Sequence, residues 1–174
     1  NIPVFWGGPV DTKEIFVLHS NEYQSDTTMN YGSISISQDY NILFDIAKNK
    51  DYQFLLEGIT DVIHLISMNA QDSALDPLLA EKINAYGAYE LAKASVESKV
   101  KRFIYFSTAH IYGSPLIGRI DETTSTEATH PYSLTHLRAE NCIQKVLKDT
   151  DTNHVILRLS NAVGAPLSKN VNCW

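Results

Sequence analysis

Tyr132 and His136 lie four residues apart, directly after Pro131, a residue well suited to the first position of a helix. That spacing brings both side chains to one helix face. Thr108 follows the apolar run Phe103-Ile-Tyr-Phe106, which reads as a strand, and it can approach the same face from the sheet. A hydroxyl, a phenol and an imidazole converging there could hold a carbonyl or alcohol oxygen and exchange one proton with it. No nucleophile–base–carboxylate relay is present in the set, because no strand-end serine elbow with a fitting aspartate accompanies it. Spacing alone leaves a plainer use open, since Tyr and His in a helix's first turn also cap, pack or face solvent.

The elements that must position these groups are legible from Phe54 onward, where strands alternate with long helices. Val62-Ile-His-Leu-Ile66 is a nearly continuous apolar run, as in a strand covered on both faces. Pro77 opens an amphipathic helix whose apolar side carries Leu78, Leu79, Ile83, Tyr86, Tyr89, Leu91 and Val96. The helix after Pro131 carries Leu134, Leu137, Cys142, Ile143, Val146 and Leu147, and Val155-Ile-Leu-Arg-Leu159 closes the series as a strand. This order implies an α/β fold with a parallel sheet, right-handed crossovers and helices on its faces. Ligands of such sheets gather beyond the carboxyl ends of the strands, here Ser67, Ser107-Thr108 and Ser160-Asn161.

Residues 1–53 have a different texture and read as compact mixed α/β material. Gly7-Gly8-Pro9 marks a turn, Ile15 to Leu18 a short strand, and Ser20 to Tyr31 a loop. Ile34 and Ile36 alternate with serines, as in a half-buried strand. Ser37 can cap a helix that begins near Asp39 and carries Ile42, Leu43, Phe44 and Ile46.

A chain of 174 residues can bury one sizeable core or two small ones. Its net charge of -6 argues against a nucleic-acid or anionic-membrane surface, since both reward clustered Lys and Arg. Cys142 and Cys173 match neither a thiolate pair nor a metal-ligand cluster, and a reduced, cytoplasmic setting is expected. His19 has no second ligand at useful spacing, so no metal site is expected. The apolar runs are too short to span a membrane, and the amino terminus does not read as a signal peptide.

Residues 54–166 resemble the middle of the extended short-chain dehydrogenase/reductase family, in its NAD-dependent nucleotide-sugar epimerase and dehydratase branch. The likeness runs through Asp61-Val-Ile-His-Leu-Ile-Ser67, Asn84-Ala-Tyr-Gly87 and Arg102-Phe-Ile-Tyr-Phe-Ser-Thr-Ala-His-Ile-Tyr-Gly113. It continues through Pro131-Tyr-Ser-Leu-Thr-His136, Arg138-Ala-Glu140 and Leu157-Arg-Leu-Ser-Asn-Ala-Val-Gly164. The resemblance implies an incomplete Rossmann-like sheet over residues 54–174 and a nucleotide-sugar substrate. By the same resemblance Tyr132 is the acid/base and Thr108 its hydroxyl partner. Ser67, Tyr132, His136 and Asn161 would contact NAD or NADP. Asn84 would support the site from behind, and His110, Tyr112 and Gly113 would shape its wall.

Two departures weigh against turnover. His136 stands where the family has a lysine, whose ammonium lowers the tyrosine pKa and holds the cofactor ribose. A phenol with a pKa near 10 costs roughly 4 kcal/mol to ionise at neutral pH without help, and a largely neutral imidazole gives little. The glycines at 7, 8, 32, 58, 87, 113, 118 and 164 also form no G-x-G-x-x-G or G-x-x-G-x-x-G pyrophosphate turn. Pro9 removes an N–H from the Gly7-Gly8 turn and no helix pattern follows it.

Residues 3–50 resemble instead part of the AlgH/YqgE family. The segments concerned are Pro3-Val-Phe-Trp-Gly-Gly-Pro-Val10, Ile15-Phe-Val-Leu-His19 and the Ser-Ile-Ser-Gln-Asp39 step. The expectation is a chimeric α/β chain, with residues 1–53 of one type and 54–174 of another. It can form one domain only if the first segment supplies strands or a cover for the sheet edge beside Val62–Ile66; an open edge would favour a homo-oligomer. Function is then read as a non-catalytic or impaired scaffold of epimerase/dehydratase ancestry. The alternatives are an active NAD(P)-dependent epimerase, dehydratase or reductase using Tyr132, or an AlgH/YqgE-like regulatory protein.

Overall fold

A six-stranded sheet in the order β3-β2-β1-β4-β5-β6 organises the chain. Its strands are β1 (Ile15–His19), β2 (Ser33–Ser35), β3 (Asn41–Leu43), β4 (Asp61–His64), β5 (Arg102–Thr108) and β6 (Asn153–Leu159). The computed structural model describes residues 15–19, 33–35, 41–43 and 52–160. Strands β1, β4, β5 and β6 are mutually parallel, whereas β2 is antiparallel to both β1 and β3. Ile15 pairs with Asp61 and Leu18 with His64, so the first segment does supply the strand that covers the β4 edge.

The expected helix from Asp39 is not what forms around Ile42 and Leu43. Asn41–Leu43 is strand β3, registered with Ser33–Ser35. A three-residue apolar patch fits either period, and partners for its backbone N–H and C=O groups along β2 decide the matter. Ser37, Phe44 and Ile46 of that expectation lie outside the described residues, as do Ile36 and the Gly7-Gly8-Pro9 turn.

On the other side of β4 the helices follow the sequence closely. Asn69 caps α1 (Ala70–Leu75), its side-chain oxygen accepting from Asp72 N at 2.8 Å. Asp76 caps α2 (Pro77–Ala80), accepting from Leu79 N at 2.9 Å, with Pro77 where a missing N–H costs nothing. The helix then widens into a π-helical turn, Glu81–Tyr86, before α3 (Gly87–Glu97) completes it. Leu91, Ile83 and Ala92 are fully buried, but Leu78 is 85% exposed and Tyr86 also faces outward. The extra residue of the π turn shifts the apolar stripe, which a fixed 3.6-residue period does not anticipate. Helix α4 (Pro131–Leu147) packs against α3 and the sheet. Phe103, Val62, Ile66, Ile83, Leu91 and Ile143 make the centre of the core.

Among the described residues, only one face of strand β6 is covered. Val155, Leu157 and Leu159 alternate outward and are 37–50% exposed, whereas Ile156 packs on the core. No helix among the described residues is long and apolar enough to cross a membrane.

Candidate functional site

Parallel strands β4 and β5 end side by side, and the segments leaving them meet the amino end of α4. Thr108 is the last residue of β5 and is buried; its Oγ accepts from His110 N at 3.2 Å, which begins a short 3-10 turn through Tyr112. That leaves the Thr108 hydroxyl proton free to point elsewhere. Ser67 lies just beyond β4 and is half-buried. Tyr132 stands in the first turn of α4, where His130 Nδ1 accepts from its backbone N at 3.2 Å. The hydroxyls of Thr108 and Ser67 lie near enough to the Tyr132 phenol to influence its ionisation. Burial raises the Tyr132 pKa above its ordinary value, and the two hydroxyls, Thr108 first, act in the opposite direction by favouring phenolate.

One helical turn on, His136 is 2% exposed and its ring lies 4.5 Å from that of Tyr132, at 65°. Its Nδ1 is 2.8 Å from the Tyr105 hydroxyl, while Nε2 is buried with no partner among the described residues. Burial lowers the His136 pKa to about 4, so the imidazole is neutral at pH 7. The structure thus places Ser67, Thr108 and His136 around Tyr132. Asn161 lies outside the described residues.

Asn84 ties the surrounding loops to α4. Within the π turn it is fully buried; its Oδ1 accepts from Met68 N at 2.7 Å, next to Ser67, and its Nδ2 donates to Thr135 Oγ at 2.9 Å. Thr135 in turn donates to the Tyr132 carbonyl at 2.9 Å. One amide therefore fixes the β4–α1 junction relative to the helix that carries Tyr132. Gly113 closes the turn after β5 with φ 107°, a backbone state that side chains rarely adopt.

Sequence reasoning missed two contributors. Tyr105 was read only as part of an apolar strand, although its phenol is the partner of His136. Arg158 on β6 forms a bidentate pair with Glu140 of α4, Nη2 donating to Oε2 at 2.7 Å and Nε to Oε1 at 3.2 Å, and donates to the Tyr112 hydroxyl at 2.5 Å. A buried Glu at an otherwise apolar helix position was the available signal, but its partner lies 18 residues away and only the packing shows it. Tyr112 lies against Arg158, whose guanidinium is 5.1 Å from its ring centroid. His110 is exposed.

Comparison with known proteins places this geometry. The model of the "NAD dependent epimerase/dehydratase family" matches residues 11–172. The chain belongs to that family. Its curated family relatives include the dTDP-D-glucose 4,6-dehydratase of Homo sapiens, 31% identical over 139 residues, covering 78% of this chain and 40% of that protein. The UDP-glucose 4-epimerase of Halalkalibacterium halodurans is 31% identical over 142 residues, covering 81% of this chain and 40% of the relative. Among solved family structures, the UDP-glucuronic acid 4-epimerase from Bacillus cereus in complex with NAD superposes with a TM-score of 0.63. It is 28% identical, with 71% of this chain and 39% of that chain covered. This chain therefore spans about two fifths of the length of these relatives. The family match takes in β1 to β3, and the comparisons lend no support to an AlgH/YqgE relationship.

Proposed function

We propose that this site serves an NAD(P)-dependent epimerase or dehydratase reaction on a nucleotide-linked sugar, with Tyr132 as the acid/base. The observation that carries this reading is the Tyr132 phenol beside the Thr108 and Ser67 hydroxyls, which favour its ionised form, at the carboxyl ends of two parallel strands. The related dehydratase and epimerase are named for dTDP- and UDP-hexoses, and the related solved structure holds NAD. The residues present fit the ribose and nicotinamide side of such a cofactor: His136 Nε2 is an unpaired buried nitrogen beside Tyr132, and the Ser107 hydroxyl is likewise unpaired. When bound, the dinucleotide would supply hydride exchange with a sugar carbon.

The chain's own residues would do the rest. Thr108 would orient the sugar hydroxyl, and Tyr132 would accept or return its proton. Phenolate is hard to form here, because burial raises the Tyr132 pKa and His136 brings no positive charge. The cost at pH 7 exceeds the roughly 4 kcal/mol of a free phenol, less whatever the two hydroxyls return. That neutral imidazole favours a second reading, in which the site binds its ligands but turns over slowly or not at all at neutral pH.

Titrating NADH while following its fluorescence, then assaying UDP- and dTDP-hexoses, tests both readings. The expected result is saturable binding, with turnover that falls at least about 100-fold in Tyr132→Phe while NADH affinity stays within about threefold. No saturable change at millimolar cofactor refutes the dinucleotide site. Binding without turnover, in wild type and variant alike, selects the impaired reading.

A further inference from the structure

We propose that Tyr105 is a positioning residue that holds His136 as its Nε2–H tautomer, so that His136 meets a bound ligand as a neutral hydrogen-bond donor to a ribose hydroxyl. The ligand half of this statement rests on the reading of the site as a dinucleotide pocket; the tautomer half does not.

Tyr105 sits in the middle of β5 at 1% exposure, and among the described residues its hydroxyl has one hydrogen-bond partner, His136 Nδ1 at 2.8 Å. His64 is the other imidazole against the Tyr105 ring, with centroids 5.3 Å apart, yet both its nitrogens are unpaired and neither takes the Tyr105 proton. Two proton arrangements satisfy the Tyr105–His136 contact. If the phenol donates, Nδ1 accepts with its lone pair, the ring proton lies on Nε2, and one buried group, Nε2–H, is left unmet. If Nδ1–H donates instead, the phenol proton and the Nε2 lone pair are both left unmet. Buried polar groups without partners are costly, so the arrangement with one is favoured over the arrangement with two. Burial also keeps both partners uncharged near neutrality, with the Tyr105 phenol pushed well above its usual range and His136 held low.

The consequence separates two roles that one ammonium would combine. A lysine offers both a donor and a positive charge. His136 in this tautomer offers the donor alone, and the proton on Nε2 bars that nitrogen from acting as a base. A ligand oxygen facing Nε2 would satisfy the one group the pair leaves unmet.

Long-range proton–nitrogen spectra of the full chain, with nitrogen-15 histidine, test this at pH 7.5; the His136 signals are assigned by their loss in His136→Gln. The expected pattern has Nε2 in the protonated range and Nδ1 in the unprotonated range. Tyr105→Phe should convert that pattern to a mixture of tautomers, and NADH should move the wild-type Nε2 signal. The same variant should bind NADH roughly three- to tenfold more weakly, the usual effect of one hydrogen bond. A proton on Nδ1 in the wild type, or an unchanged pattern in Tyr105→Phe, overturns the tautomer assignment. The wild-type spectrum decides it even if the variant does not fold. Saturable NADH binding without movement of Nε2 overturns the donor role. Absence of NADH binding removes the dinucleotide reading, and the donor role with it, while the apo spectrum still decides the tautomer.

Discussion

Lowering the pH from 7.5 to 5.0 should weaken the fold sharply, because two histidines are buried uncharged. His64 is fully buried between Phe103 and Tyr105, and neither ring nitrogen has a partner among the described residues. Burial first, and the proximity of His136 second, lower its pKa from 6.5 to about 3. His136 falls from 6.5 to about 4, through burial. Both groups bind protons more tightly in the unfolded chain than in the folded one. Stability is therefore full above pH 6.5, is lost as pH falls through the window down to the folded values, and levels off below them. At pH 5 each histidine withdraws about 2 kcal/mol, so together about 4 kcal/mol, a large share of the 5–15 kcal/mol that holds a typical domain. With a urea slope of about 2 kcal/mol/M, the unfolding midpoint should drop by roughly 2 M between the two pH values. His64→Leu should remove about half of the dependence and the His64→Leu/His136→Leu pair most of it, whatever the offset in absolute stability. A wild-type midpoint that moves by less than about 0.5 M, or a double variant that keeps the full dependence, would refute this account of the buried pair.

Two further outcomes follow from the same neighbourhood. His136→Lys should return a positive charge beside Tyr132; kcat profiles should shift to lower pH, with turnover at pH 7 rising about tenfold for each unit the phenol falls. An unmoved profile would show that charge at this position does not control Tyr132. Asn84→Ala should strip the Met68 N–H of its acceptor and Thr135 of a donor in a fully buried place. The expected loss is about 2–3 kcal/mol, seen as a melting temperature lower by roughly 5–10 °C.

Local signals carried far in this chain. Pro77 and Pro131 mark real helix starts, and the apolar runs near Val62, Phe103 and Val155 are strands, because caps and periodicity act within a few residues. Thr108, Tyr132 and His136 neighbour one another for a related reason: strand ends and a helix's first turn converge in a parallel sheet of this order. The Ile42–Leu43 strand was not legible, since its backbone partners lie on β2 and ultimately on β1. Leu78 faces outward because a π turn rotates the stripe after it, a change no regular period contains.

By itself, the amino-acid order determined the succession of strands and helices beyond Phe54 and set His136 one helical turn after Tyr132. Those are properties of neighbours along the chain. Tertiary structure alone decided that β1 completes the sheet beside β4, that Arg158 neutralises Glu140, and that Tyr105 reaches His136 Nδ1. Each depends on groups brought together from distant positions, and burial there sets their charge: the same imidazole that would titrate near 6.5 in water stays neutral at pH 7 between α4 and β5.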